Sequence, residues 1–171
     1  MHQLFLLRHA KAEPEVSGLS DHDRSLTARG RYDAEKIAQA MRKAGLAPEV
    51  VLVSTATRTR QTLEELENAS VWDEWPNIDS LPQLYMAGPG QLLNTIRDLP
   101  ETVRSVLIIG HNPGLHELAL RLAGDSLLQK STGLHEGYPP ATLSEFLVTG
   151  RWRRVGEDTT SLKLLLKAQD C

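Results

Sequence analysis

The strings LLRHA (residues 6–10) and IIGHNP (residues 108–113) each place a histidine at the end of an apolar run, with one residue between the run and the histidine. Continuous apolar runs are typical of strands in a parallel sheet that is buried on both faces. Ligands of such sheets bind in the crevice beyond the carboxyl ends of the strands. We therefore predict that two strands deliver His9 and His111 to one crevice, where both imidazoles face the same bound group.

A third apolar run, VVLV (residues 50–53), ends in a polar segment that leads to Arg58. Arg58, together with the Arg8 that precedes His9, would place two permanent cations at the same edge of the sheet. Guanidinium groups bind phosphoryl oxygens in a bidentate manner. The two histidines and two arginines therefore predict a site for a phosphoryl group.

The rest of the chain alternates strands with amphipathic helices. Thr27 is a suitable N-cap and Gly45 a suitable stop for a helix over residues 28–44. Apolar spacing predicts further helices over residues 57–68, 91–99 and 114–123, and strands over residues 3–9, 50–54, 78–81, 106–110, 143–148 and 162–166. Residues 10–25 and 124–141 are predicted to be loops. This order predicts an α/β fold with an open, mostly parallel sheet covered by helices on both faces.

Composition limits the partners. The chain has 171 residues and a formal net charge of -3, and its basic residues are spread along its length, which does not fit binding to nucleic acid or to an anionic membrane. The single cysteine, Cys171, can form no internal disulfide, as suits a reducing cytosol. No apolar run reaches the length of a signal peptide or a membrane span. We expect one domain over residues 1–171, soluble and cytoplasmic.

His9 is the candidate nucleophile. A neutral imidazole nitrogen attacks phosphorus directly and becomes a phosphohistidine, which divides hydrolysis into two easier steps. Arg8 and Arg58 would neutralise the equatorial oxygens of the transferring group, and a protonated His111 would add a donor. The chain has no HExxH sequence and only one thiol, so no metal is expected. The other histidines are interpreted as surface or structural groups: His2, His22, His116 and His135.

Four motifs follow one another along the chain. They are LRHA (residues 7–10), RSLTARG (residues 24–30), VS with the following Arg58 and QT (residues 53–62), and GHNPG (residues 110–114). In this order and spacing they resemble the histidine phosphatase superfamily, in its small SixA-type branch of phosphohistidine phosphatases, over residues 4–123. The resemblance implies a three-layer, phosphoglycerate mutase-like α/β fold that uses no metal or other cofactor.

The resemblance also implies roles for individual residues. His9 would be the nucleophile, and Arg8, Arg58 and His111 would complete the phosphate pocket. Two further residues would contact the substrate, namely Arg24 and Asn112. The implied partner is a phosphorylated protein that carries phosphohistidine.

The sequence departs from the superfamily pattern at two positions. Ala10 follows the histidine where glycine is more usual, a change small enough to keep the turn. Gln83 lies in the region where larger members have a glutamate general acid, and an amide cannot donate an acidic proton. Four loop carboxylates are alternative acids, and the residues do not decide among them or against all of them: Glu13, Asp21, Asp23 and Glu136.

Three functions are compatible with these residues. The leading hypothesis is a phosphatase that acts on phosphohistidine in a signalling or phosphotransfer protein. A second keeps the chemistry but takes a small phosphomonoester as substrate. A third is a module that binds a phosphoprotein without turnover, and the intact set of cations with a nucleophilic imidazole argues against it because a binder needs no nucleophile.

Overall fold

The computed structural model describes residues 1–69, 72–125 and 133–171. Within these ranges the strands are β1 (His2–Arg8), β2 (Val50–Ser54), β3 (Asn77–Leu81), β4 (Ser105–Gly110), β5 (Thr142–Val148) and β6 (Thr160–Lys167). They form one sheet in the order β3-β2-β4-β1-β5-β6. Among them β5 alone runs in the opposite direction, because it pairs antiparallel with both β1 and β6. The predicted mostly parallel sheet is confirmed.

The neighbouring strands β1 and β4 bring the two histidine motifs together. They pair in parallel, with Arg8 opposite Gly110 at their carboxyl ends. His9 and His111 are therefore the first residues beyond two adjacent strand ends. Every residue of β4 is buried, as the apolar run predicts for a central strand.

The helices are α1 (Ala28–Ala44), α2 (Thr57–Asn68), α3 (Pro89–Arg97) and α4 (Gly114–Ala123). The predicted ends of α1 are confirmed. The Thr27 hydroxyl accepts a hydrogen bond from the Gly30 N–H, and Gly45 closes the helix in the left-handed conformation with φ 70°. Residues 91–99 were predicted as helix, but α3 begins and ends two residues earlier. The earlier start is explained by Pro89, which fits the first turn because its missing N–H is not needed there.

Two apolar layers hold the helices on opposite faces of the sheet. Successive side chains of a strand point to opposite faces, so Phe5 and Leu7 pack in the cluster that includes α1 and α2 residues. Leu4 and Leu6 pack in the cluster that includes α3 and α4 residues. The chain thus forms the three-layer α/β arrangement that the resemblance implies.

The connecting segments contain short turns that the sequence pattern did not predict. A 3-10 turn over Asp21–Asp23 interrupts the predicted loop of residues 10–25, and another covers Pro82–Leu84 after β3. Of the predicted loop of residues 124–141, residues 126–132 lie outside the described ranges. No helix in the described part of the chain is both long and apolar enough to cross a membrane.

Candidate active site

A cleft of about 360 Å³ opens at the carboxyl ends of β1, β2 and β4. It is lined by Arg8, His9, Lys11, Ala12, Glu15, Asp21, Arg24, Arg58, Met86, His111, Asn112 and Pro140. All six site residues predicted from the sequence lie in this lining. The imidazole rings of His9 and His111 are 5.4 Å apart between centroids, so one phosphoryl group can face both.

The backbone and one ring nitrogen of His9 are fixed. Its N–H donates to the Gly110 carbonyl (3.1 Å), and its own carbonyl accepts from the Ala141 N–H (3.1 Å). The ring Nδ1 lies 2.6 Å from the Ala10 carbonyl oxygen, which can only accept, so Nδ1 carries the proton. In the neutral ring this leaves Nε2 with a free lone pair.

Burial keeps His9 neutral. The side chain is 8% exposed, and its pKa is lowered to about 4, first by desolvation and then by the cations Arg8, Arg58 and Arg24. At neutral pH the imidazole is therefore the unprotonated form that can attack an electrophile.

Arg8 and Arg58 each present a free donor. Arg8 Nη1 donates to the Tyr138 carbonyl (3.0 Å), while Arg58, which is 2% exposed, donates through Nη1 and Nη2 to Asp21. The Nε atoms of both arginines are buried and have no hydrogen-bond partner within the described ranges. Buried N–H groups normally have a hydrogen-bond acceptor. The Nε–H groups of these two lining residues can therefore donate to a ligand bound in the cleft.

Asp21 ties several of these groups together. Its Oδ1 accepts from Arg24 Nε (2.9 Å), and its Oδ2 accepts from Arg58 Nη2 (3.1 Å) and from the Tyr85 hydroxyl. Its backbone carbonyl accepts from Arg58 Nη1 (2.8 Å). The Tyr85 hydrogen bond and the two guanidinium groups hold the pKa of the Asp21 carboxyl well below its usual range. Asp21 is therefore ionised at neutral pH and has no proton to donate.

The other candidate acids are not among the residues that line the cleft. Asp23 bonds to the Ser20 hydroxyl (3.0 Å), and Glu13 is exposed and bonds to Arg24 through its backbone. Glu136 lines an adjoining depression, which shares Arg8 and Asn112 with the cleft. None of these three carboxyl groups is among the lining residues, nor is Gln83, which is exposed. Glu15, which the sequence did not single out, is the other carboxylate of the lining besides Asp21.

His111 is also neutral. It is 2% exposed, and its pKa is lowered to about 3 by burial, by the neighbouring His9 and by the Arg58 charge. In the cleft without a bound phosphoryl group His111 is therefore uncharged at neutral pH, so a donor role there would be that of a neutral ring. Its Nε2 lies 2.7 Å from the Ser54 hydroxyl.

Asn112 is held next to Arg8. Its Nδ2 donates to the Tyr138 carbonyl (2.8 Å), which also accepts from Arg8 Nη1. Tyr138 is itself buried, and its hydroxyl donates to the Leu6 carbonyl (2.6 Å). Tyr138, from the segment before β5, thus fixes two residues of the cleft by its backbone oxygen.

Several contributing residues have no signal in the sequence. Met86 lines the cleft from the segment after β3, and Arg58 Nη2 lies 3.7 Å from its sulfur. Tyr85, from the same segment, contacts the lining residues Asp21 and His111. The positions of these two side chains could be predicted only by knowing how that irregular segment folds. Ser54 carried a partial signal, because it ends a predicted strand, but the position of that strand beside the strand of His111 comes from the structure.

The remaining histidines have structural or surface positions. The His2, His22 and His116 rings bond to the Gly150 carbonyl, the Thr55 hydroxyl and the Leu134 carbonyl. His135 is exposed. In the described part of the chain, no three His, Cys, Asp or Glu side chains converge as a metal ion would need.

Comparison with known proteins identifies the family. Residues 4–80 match the model of the histidine phosphatase superfamily (branch 1). An uncharacterized protein of Mycobacterium tuberculosis is 33% identical over 156 residues, which cover 87% of this chain and 91% of that protein. An uncharacterized chloroplastic protein of Arabidopsis thaliana is 33% identical over 136 residues, 75% of this chain, and the match spans 62% of its length.

A solved structure agrees in both fold and sequence. The SixA protein of Agrobacterium tumefaciens superposes with a TM-score of 0.82 and 30% identity, and the match covers 96% of this chain and 97% of that one. The chain therefore belongs to the histidine phosphatase superfamily and is a phosphatase.

Proposed function

We propose that this phosphatase removes the phosphoryl group from phosphohistidine in a protein, through a covalent phosphohistidine at Nε2 of its own His9. The observation that carries the proposal is the state of His9: buried and neutral, with Nδ1 bonded to a carbonyl and Nε2 free. Dephosphorylation of phosphohistidine is also the activity proposed for the Agrobacterium tumefaciens SixA protein.

In the first step the lone pair of His9 Nε2 attacks phosphorus, and the bond from phosphorus to the substrate imidazole breaks. The bonding electrons leave with that imidazole. Its other ring nitrogen carries a proton taken from solvent, so the group departs as neutral imidazole. The unpaired Nε–H groups of Arg8 and Arg58 would donate to the equatorial oxygens as the phosphoryl group moves.

In the second step a water molecule attacks phosphorus of the phosphoenzyme. The bond from phosphorus to Nε2 breaks, its electron pair returns to the nitrogen, and the proton of the water passes to the phosphate and solvent. Inorganic phosphate leaves and His9 is restored as the neutral tautomer, because the Ala10 carbonyl holds the Nδ1 proton throughout. A separate base for the nucleophile is unnecessary in the first step.

The substrate class follows from the leaving group. An alkoxide needs a proton from a positioned acid as it departs, whereas imidazole is far less basic and needs less help. Asp21, the carboxylate nearest the arginines, is ionised by its contacts with Arg24, Arg58 and Tyr85. A cleft with this carboxylate favours phosphohistidine over alkyl phosphates.

A small phosphomonoester is the second candidate substrate. Glu15 favours it, because this exposed carboxylate lines the cleft and could supply the proton that an alkoxide requires. Under that alternative Glu15→Gln would abolish cleavage of alkyl phosphates. Under our proposal the same substitution leaves the rate with phosphohistidine within about twofold, since no acid is used.

The deciding experiment compares kcat/KM for a phosphohistidine-bearing protein, an aryl phosphate and an alkyl phosphate. We expect the first two to be cleaved well and the alkyl phosphate poorly. Rapid acid-free quenching with labelled substrate should trap acid-labile, base-stable phosphate on wild-type protein and none on His9→Ala. The exposed His135→Ala is the matched control and should trap phosphate as wild type does. Wild-type turnover by His9→Ala would refute the mechanism.

A further inference from the structure

Ser54 and His111 form a buried pair at the ends of the adjacent strands β2 and β4. The Ser54 side chain has no exposed surface, and its Oγ lies 2.7 Å from His111 Nε2. The Tyr85 and His111 rings pack nearly perpendicular to each other, with 5.4 Å between centroids. The imidazole is therefore held in one orientation by a polar contact and an aromatic contact.

The position of the proton between the two side chains follows from counting donors and acceptors. The Ser54 oxygen already accepts a hydrogen bond from the Ala56 N–H (3.3 Å). Its own proton needs an acceptor, and in the described part of the chain His111 Nε2 lies within hydrogen-bond distance of it. If Nε2 instead donated to the serine, the buried hydroxyl proton would be left without a partner, which is costly. Ser54 thus donates, and Nε2 accepts.

The other ring nitrogen then carries the proton. His111 Nδ1 is buried and has no hydrogen-bond partner among the residues that the structure describes. The ring lines the same cleft as His9 and the two arginines. Phosphoryl oxygens accept hydrogen bonds, so an Nδ1–H is attractive to them and an Nδ1 lone pair would be repulsive.

We propose that Ser54 is a positioning residue that holds His111 as the neutral Nδ1–H tautomer, so that His111 serves the phosphoryl group as an uncharged donor. This role rests on the proposed use of the cleft for a phosphoryl group. Burial and the adjacent cations lower the pKa of His111 to about 3, which agrees with an uncharged ring. A neutral donor adds a hydrogen bond without adding a further positive charge to the cleft.

The first test reads the tautomer directly in the substrate-free wild-type protein. Long-range ¹H–¹⁵N spectra of protein labelled at histidine distinguish a protonated from an unprotonated ring nitrogen, and the His111→Gln spectrum assigns the His111 signals by their absence. We expect Nδ1 protonated and Nε2 unprotonated between pH 6 and 8, the range set by the roughly 6.5 pKa of free histidine. A protonated Nε2, alone or together with Nδ1, would overturn the proposal.

The second test removes the serine hydroxyl. In Ser54→Ala we expect a mixture of His111 tautomers and a fall in kcat/KM of roughly ten- to a hundredfold, as for other groups that orient a ligand-binding side chain. Ser54→Thr keeps the hydroxyl and should restore the single tautomer and most of the activity. Ser105→Ala is the matched control, because Ser105 is another buried strand serine whose hydroxyl bonds at the far end of the sheet, to the Glu49 N–H (2.9 Å).

Inorganic phosphate separates this proposal from the proposed function. Saturating phosphate should shift the His9 and His111 signals, with His111 Nδ1 moving more than Nε2. A shift of His9 without His111 Nδ1 would refute the donor role while leaving the phosphate site intact. No shift of either histidine would instead count against phosphate binding in the cleft. A Ser54→Ala protein with full activity and a single Nδ1–H tautomer would also refute the role of Ser54.

Discussion

Replacing Asp21 by asparagine distinguishes two roles that a carboxylate in this cleft could have. As a general acid, Asp21 would donate a proton to the leaving group. As an anchor, it would hold Arg58 and Arg24 in place by its charge. Asp21→Asn preserves the side-chain shape and the backbone carbonyl that accepts from Arg58 Nη1 at 2.8 Å. It removes the negative charge that Arg58 Nη2 and Arg24 Nε contact at 3.1 and 2.9 Å.

The size of the anchor effect can be worked out from these contacts. A hydrogen bond that involves a charged group contributes about 1.5 to 3 kcal/mol. The Asp21 side chain is 31% exposed, so screening by solvent favours the lower end of that range, and the asparagine oxygen still accepts one bond. A loss of about 1.4 kcal/mol corresponds to about a tenfold fall in rate. We therefore expect kcat/KM to fall about tenfold.

The loss of kcat/KM with each of the three substrates distinguishes the two roles. Loss of an anchor misplaces Arg58 for every substrate, so phosphohistidine, aryl phosphate and alkyl phosphate should lose about the same factor. Loss of a general acid costs about 10² to 10⁴ and falls mainly on the alkyl phosphate. Asp23→Asn is the matched control, because Asp23 bonds to the Ser20 hydroxyl outside the cleft, and it should match wild type. Selective loss of alkyl phosphate cleavage in Asp21→Asn would refute the anchor role.

Three further outcomes are expected. Arg8→Ala and Arg58→Ala should each lower kcat by on the order of 10² to 10³, as when a preorganised donor is removed, with circular dichroism unchanged; near-normal rates in both would place the phosphate elsewhere. Activity should fall as the pH is lowered through about 4, because the pKa of His9 is about 4 and the protonated ring cannot attack. In the unfolded chain His9 takes up its proton near the ordinary pKa of 6.5. The free energy of unfolding, measured with urea, should therefore decrease as the pH is lowered from about 6.5 to about 4. Exhaustive chelation should leave turnover unchanged, and activity that a single added divalent ion restores would contradict the expected absence of a metal.

The convergence of the motifs could be predicted from the sequence because it depends on local patterns. The apolar runs before His9 and Gly110 identify buried strands, and parallel strands end at the same edge of a sheet. Once β1 and β4 are neighbours, their ends meet at this edge, as the pairing of Arg8 with Gly110 shows. Thr27 and Gly45 likewise predicted the ends of α1 by chemistry confined to a few residues.

The electrostatic state of the cleft could not be predicted in this way. Asp21 and Tyr85 are 64 positions apart, and each lies in a segment without helical or strand periodicity. Gln83 shows the same limit. The 3-10 turn over Pro82–Leu84 buries Leu84 and leaves Gln83 exposed. Gln83, which the sequence analysis compared with the catalytic glutamate of larger superfamily members, therefore lies outside the cleft lining.

The contacts of Asp21 connect charge in the cleft to the choice of substrate. A carboxylate that receives hydrogen bonds from Tyr85, Arg24 and Arg58 cannot hold a proton at neutral pH, and the same bonds fix the arginine that would bind the phosphoryl oxygens. Anchoring Arg58 and supplying a proton are thus incompatible tasks for one side chain. An enzyme that uses Asp21 as the anchor must take its acid from elsewhere or take a substrate that needs none. Phosphohistidine is such a substrate, since its leaving imidazole can be protonated by solvent before the bond to phosphorus breaks.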